Sequence, residues 1–353
     1  MPVTLAQAQL NTQVDLNFAV IDNLRRYSWL LDQIVFDDTT NPTGGSNLVY
    51  GYTRLKTPRT AAFRAFNTEY APSQAEREQI TVALRPHGGA FAVDRVLADL
   101  GQAATNEISF QMQQLLTATS QKWQEELIGG DIAVNVNGFD GLNKALTGTA
   151  TEYDPLDNGV ALGYLNWTQG TIITQALAMA ALDTLDDFLA GIIPSKTGGG
   201  DLGAPGALPL GEKALLSNTK GVTRIRSIAR WAGLYTVDKD SVGRNVERYG
   251  DWALVDIGNG QLGTNPIIPI YSADADEGGG GSTITGLTDI YAVCFGMDAL
   301  HGASVAGKQL VNSWLPDFTT SGAVKSGEVE MGPTAMVLKN TKSCGALRKV
   351  KVQ

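Results

Sequence analysis

ITVALRPHGGAFAVDRVLADLGQAATNEISFQMQQLLTATSQKWQEELIGG, residues 80–130, changes its hydrophobic period partway along. Ile80, Val82 and Leu84 alternate with Thr81, Ala83 and Arg85, the period of a strand with one buried face. HGGAFAV then reads as a glycine-rich bend. From 94 to 128 the period turns helical. Ile108, Met112, Leu115, Leu116, Trp123 and Leu127 fall on one amphipathic stripe about five turns long. Gly129-Gly130-Asp131 supplies the stop signal. The reading is of an extended segment feeding a long helix whose apolar stripe needs a sheet to lie on.

Upstream, the segment 39–68 carries Arg54, Lys56, Arg59 and Arg64 and no acid. Leu48 to Leu55 reads as a strand and Pro58 breaks it. With ITVALRP returning, the two make a protrusion of some 50 residues. Two-stranded hairpins are barely stable alone, so this one is expected to lie on a neighbour. Before it, residues 3–36 form a polar, partly helical arm with Leu16, Val20, Leu24, Leu31 and Phe36 at drifting spacing.

Downstream the signals alternate between helix and strand, which argues for an α/β or α+β domain. Ile172 to Leu189 marks a helix ending at Gly191, ALLSN a strand, and GVTRIRSIARWAG a helix. DWALVDIG, NPIIPIY and DIYAVCFGM read as strands, the last apolar enough to be buried on both faces. SKTGGGDLGAPGALPLG (195–211) and DEGGGGST (276–283) are loops. The C-terminal stretch is strand-like and holds five bases and no acid from Lys339 onward.

Composition limits the chemistry. The chain has 353 residues and a formal charge of −9, which argues against a dedicated nucleic-acid binder. The 40 glycines, about 11% against a usual 7%, call for many tight connections. Cys294 and Cys344 are too few for a disulfide scaffold or a four-cysteine zinc site, and His87 and His301 too few for a histidine-rich metal site. GNGQLG (258–263) matches a dinucleotide fingerprint in letters, but Pro266 and Pro269 forbid the helix it must open. DADEGGGG has Thr285 where a calcium loop needs Glu. Asp183, Asp186 and Asp187 share a helix face best read as wet. No nucleophile–base arrangement accompanies either histidine, and the start lacks a secretory signal.

The order of parts resembles the major capsid proteins of tailed bacteriophages with the Hong Kong 97-like fold. The resemblance is carried by residues 80–130, by GFDGLNKAL (138–146), ALLSNTKGVTRIRSIARWAG (214–233), DIYAVCFGMDALHG (289–302) and VEMGPTAMVLKNTKSCGALRKVKV (329–352). It implies an α+β fold with an N-terminal arm (1–38), an extended loop (39–93), a peripheral domain with a long spine helix (94–145 and 321–353) and an axial domain with a mixed central sheet (146–320). It also implies a structural shell subunit, not an enzyme, with no cofactor, metal or membrane association. Self-association into hexamers and pentamers, scaffolding, portal and decoration proteins, and packaged DNA held without sequence preference complete the implied partners. The implied location is the virion, assembled in a bacterial cytoplasm.

On this numbering, Arg54, Lys56, Arg59 and Arg64 are expected to contact the adjacent subunit. Arg25, Arg26 and Lys122 are expected to face the packaged DNA, and Ile108, Met112, Leu115, Leu116 and Leu127 to pack the spine helix on its sheet. The type member cross-links a loop lysine to a neighbour's asparagine, for which Lys56 and Asn340 are the candidates. No scaffolding segment precedes the arm in this sequence, so a separate scaffold or a mature start is expected. A cellular nanocompartment shell of the same fold, and a nucleotide-using α/β enzyme, are the competing readings.

Overall fold

A computed structural model describes residues 29–40, 48–100, 107–192, 212–233, 236–239, 245–274 and 283–353. The expectations for Arg25, Arg26, the 195–211 loop and most of the 276–283 tip lie outside them.

The described chain opens with a short helix α1 (Trp29–Gln33) and strand β1 (Phe36–Thr40), then β2 (Val49–Thr57), β3 (Glu76–Ala83) and β4 (Arg85–Asp94). Helices α2 (Arg95–Leu100) and α3 (Glu107–Gly129) follow, then α4 (Leu142–Leu146) and the short β5 (Glu152–Tyr153) and β6 (Leu165–Asn166). Next come α5 (Gln175–Ala190), β7 (Lys213–Ser217), α6 (Thr219–Ala232), β8 (Thr236–Lys239), β9 (Asn245–Tyr249) and β10 (Trp252–Asp256). The chain closes with β11 (Tyr271–Asp274), β12 (Thr283–Cys294), β13 (Leu300–Val305), β14 (Val311–Trp314), β15 (Val324–Leu338) and β16 (Cys344–Lys351).

Three sheets result. The largest runs β5-β16-β12-β7-β10-β9-β8, with β11 added to β12 and β6 to β16. Ile290 to Cys294 of β12 are all buried, as an unbroken apolar run at the centre of a sheet must be. One face, with Leu215, Leu254, Ala292 and Leu347, is covered by Leu182, Leu185 and Phe188 of α5 and Ile225 and Ile228 of α6. The other, with Leu216, Tyr291, Val293 and Ala346, packs on Trp123 and Leu127 of α3 and Leu142 of α4. Local chemistry sets α6: the Asn218 side chain caps it by accepting from the Gly221 amide at 2.9 Å, and its amide group reaches Thr288 at 2.7 Å.

The second sheet runs β1-β13-β15-β14, with β4 also pairing β15. The third is the β2–β3 hairpin alone. β4 corrects the expected bend at HGGAFAV: it is a full strand, in register with β15 from Arg85↔Thr334 to Asp94↔Val324. Its glycines serve close approach. A Cβ on Gly89 would stand 2.7 Å from the Leu115 methyl of α3, so glycine is what lets the helix settle on this strand.

The spine helix also differs from the expected 94–128. It is described as α2 and α3, with 101–106 outside the described residues. NPIIPIY does not form a strand; only Tyr271 onward does, because Pro266 and Pro269 cannot donate to a ladder. The C-terminal strands part company. β15 pairs with β4 in the second sheet, but β16 sits in the large sheet between β5 and β12.

Candidate assembly surface

Among the described residues, the side-chain bonds that tie the β2–β3 hairpin to the other sheets lie near its root. Tyr50, Tyr52 and Arg54 alternate along β2 and so present one face. The Tyr50 hydroxyl donates to Asp37 of β1 at 2.7 Å. The Tyr52 hydroxyl donates to the Leu338 carbonyl at 2.8 Å. Arg54 donates to the carbonyls of Lys339 at 3.0 Å and Leu338 at 2.8 Å. Buried beneath them, His301 of β13 meets the Tyr50 ring edge-on at 5.9 Å. Burial, and then the Lys339 ammonium, lower the His301 imidazole to about 4. Burial also raises the Tyr52 phenol.

Arg54, expected at an intersubunit contact, donates here to carbonyls of its own chain. Across the hairpin, Arg54 is in register with Glu78 and Thr57 with Glu76, so the return strand supplies the acid missing from 39–68. Lys56 and Arg59 are exposed. Arg64 holds the tip, donating to the Thr68 carbonyl at 3.0 Å and lying 5.3 Å from the Tyr70 ring centre. Around it Phe63 is fully exposed and Phe66 is 98% exposed. Asn340 uses its side-chain oxygen to cap a short 3-10 turn, accepting from the Lys342 amide at 3.0 Å.

On α3 the expected stripe divides. Leu127 is fully buried, and Trp123 with it, its indole N–H donating to the Thr334 hydroxyl at 3.2 Å. Ile108, Met112 and Leu115 are half-buried, with Leu115 on Gly89. Leu116 departs from the stripe at 40% exposure, because one residue turns a helix by about 100° and Leu115 already holds the sheet-facing position. Lys122, expected to face packaged DNA, pairs with Glu126 at 2.8 Å and Glu125 at 3.5 Å on its own helix.

The five C-terminal bases are mostly spent inside the chain. Arg348 donates to Glu152 at 2.8 Å, to Asp289 at 2.9 Å and to the Tyr291 hydroxyl at 3.1 Å, and also bonds Asn143 of α4. Lys349 pairs with Asp154 at 2.9 Å and Lys339 approaches Asp37 at 4.0 Å. The Arg348 network stitches α4 and β5 to the central sheet beside a cavity of about 580 Å³.

Residues with other chemistry in view are likewise occupied. GNGQLG is a turn, as expected, and it cradles a carboxylate: the Gln261 amide donates to Glu125 of α3 at 2.7 Å. A Cβ on Gly260 would stand 2.0 Å from that oxygen. Asp186 accepts from the Tyr249 hydroxyl at 2.7 Å, while Asp183 and Asp187 are exposed. Cys294 and Cys344 are buried and free, and both thiols are pushed up by burial, Cys344 to about 11. Cys344 is in register with Val293, so the two thiols leave the sheet on opposite faces. Among the described residues no group of three or more His, Cys, Asp or Glu could hold a metal ion, and no helix is long and apolar enough to cross a membrane.

Solved structures share this arrangement along its whole length. The SrpI encapsulin of Synechococcus elongatus PCC 7942, in its holo complex, aligns with a TM-score of 0.59 at 12% identity, covering 100% of this chain and 98% of that one. The capsid of a native GTA particle aligns at 0.56 and 13% identity, covering 96% and 95%. The fold is the Hong Kong 97-like capsid fold. The capsid of Myoviridae phage XM1 also has it, at a TM-score of 0.52 and 13% identity over 98% of this chain and 99% of that one. No family model matches the sequence, and no curated protein matches it.

Sequence reasoning found the hairpin and the spine helix but missed the root clamp and the aromatic tip. The Tyr50-x-Tyr52-x-Arg54 alternation was a readable signal for the first, and Phe63 and Phe66 beside Arg59 and Arg64 for the second.

Proposed function

We propose that this chain is the major capsid protein of a tailed bacteriophage, a structural, non-enzymatic subunit that self-assembles into the icosahedral head around double-stranded DNA. The observation that carries the reading is the hairpin. It projects from a fold shared end to end with shell proteins, and its aromatic, basic tip has no cover among the described residues. In this reading residues 1–38 are the arm and 49–83 the extended loop. β4 and β15 with α3 make the peripheral domain, and the large sheet with α5, α6 and β16 makes the axial domain. Hexamers and pentamers, a scaffold, a portal and decoration proteins are the partners it implies, and DNA is retained by enclosure, since a chain of charge −9 offers little attraction.

The full-length likeness to an encapsulin supports a second reading, a cellular compartment shell of the same fold. Particle contents separate the two. Purified particles treated with nuclease and then opened are expected to release protected double-stranded DNA. Particles that hold a protein cargo and no DNA would favour the compartment. A stable 37.5 kDa monomer at high concentration would overturn both.

A further inference from the structure

A cavity of about 60 Å³ lies between β4, the C-terminal half of α3 and the loop that follows α3. Arg85 and His87 enter it from β4, two residues apart and so on one face of the strand. That face lies under the helix, since Gly89 two residues further on meets Leu115. Lys122 and Glu126 enter from α3, and the exposed Asn135 and Asn137 of the loop form the outer rim. The rings of Trp123 and Phe139, with centres 6.3 Å apart, wall it.

Two nitrogens at this cavity are buried with no hydrogen-bond partner, Nε of Arg85 and Nε2 of His87. A buried polar atom without a partner is unfavourable, and a buried guanidinium without a counter-charge is more so. Among the described residues no carboxylate pairs with Arg85, whereas Lys122 already holds Glu126 at 2.8 Å. Two cations against one carboxylate leave the cavity at +1 with His87 neutral. A single water needs about 10–15 Å³ of such space, so the cavity has room for something larger. Because both nitrogens are closed to solvent, its occupant is a small mobile ion and not a phosphate held on a nucleic-acid chain.

We propose that this cavity binds a small inorganic anion, of the class of chloride or phosphate, with Arg85 as its counter-charge and His87 Nε2 and the side-chain amides of Asn135 and Asn137 as further donors. The ion then ties β4, α3 and the loop together. All its ligands come from one chain, so the site does not depend on the shell reading. Binding is coupled to a proton, because an imidazole that carries one donates from both nitrogens. Burial and then Lys122 hold the free His87 ring below its ordinary range, while the Thr119 backbone and Glu126 act the other way. Opposite on β15, Met331 and Thr334 bring no titratable group. An anion beside the ring favours its charged form, so the ion binds more tightly as pH falls.

Two experiments on the full chain test it. In the first, thermal unfolding is followed at about pH 6 and constant ionic strength while gluconate, too large for the cavity, is replaced by chloride in one arm and inorganic phosphate in the other. The midpoint is expected to rise by about 3 °C or more and to saturate in at least one arm. Which arm responds sets the size of ion the site takes. Arg85→Gln is expected to lose the rise. The second needs no variant. The chain has only two histidines, so nitrogen-15 spectra of its imidazoles separate His87 from His301. The anion that stabilises the chain is expected to raise the titration midpoint of His87 by about half a pH unit or more and leave His301 unmoved. A rise that Arg85→Gln retains is a general salt effect and overturns the site. No rise in either arm with an unmoved His87 also overturns it and leaves the cavity to water.

Discussion

The Tyr50 hydroxyl donates to the Asp37 carboxylate at 2.7 Å, joining the root of the hairpin to the parallel edge strand of the second sheet. Asp37 is buried, so the bond is worth more than an exposed one. Tyr50→Phe removes the donor and leaves the ring in place. We expect a loss of about 1–3 kcal/mol in urea unfolding of the subunit, and weaker protection from proteolysis across residues 49–83. An unchanged unfolding midpoint would refute the clamp.

His301 makes subunit stability depend on pH. Its imidazole titrates near 4 in the folded chain against an ordinary 6.5, because burial and then Lys339 disfavour its charged form. Asp37, the other charged group facing it, acts the opposite way. Between those pH values the unfolded chain binds more protons, so this contribution is full above 6.5 and is lost as pH falls through 4. The difference corresponds to about 3 kcal/mol. His301→Gln is expected to flatten the stability profile between pH 7 and pH 4; a profile parallel to wild type would contradict the assignment.

Leu127 and Leu116 sit on the same helix with opposite fates. Leu127→Ala is expected to cost about 2–5 kcal/mol, and Leu116→Ala to stay within about 0.5 kcal/mol. Thermal unfolding of the two variants side by side checks the helix phase. Equal costs would place Leu116 back on the core stripe.

Arg348 is the test of the central network. Arg348→Met leaves Glu152 and Asp289 without their cation in a mostly buried setting, and we expect a loss of about 3–5 kcal/mol. A loss below about 1 kcal/mol in chemical denaturation would show that the two carboxylates are already solvated.

Period and composition carried much of this architecture into the sequence. The amphipathic stripe around Trp123 and Leu127 and the unbroken apolar run of β12 are local signals; β12 forms where it was read, and the stripe's helix begins at Glu107. What stayed hidden depends on partners distant in sequence. Gly88 and Gly89 look like a bend until β15 and Leu115 arrive beside them. β16 looks like a companion of β15 until Asp289 and Glu152 claim Arg348. The run 39–68 is free of acid in sequence, but the turn brings Glu76 and Glu78 alongside it. Leu116 shows the limit of spacing alone, since two adjacent leucines cannot both face one sheet.

Cryo-electron microscopy of the full chain, purified after expression, tests the central claim most directly. The account predicts closed icosahedral shells in which each β2–β3 hairpin lies on a neighbouring copy and buries Phe63 and Phe66. Dispersed monomers, or shells whose hairpin tips stand free in solvent, would contradict it.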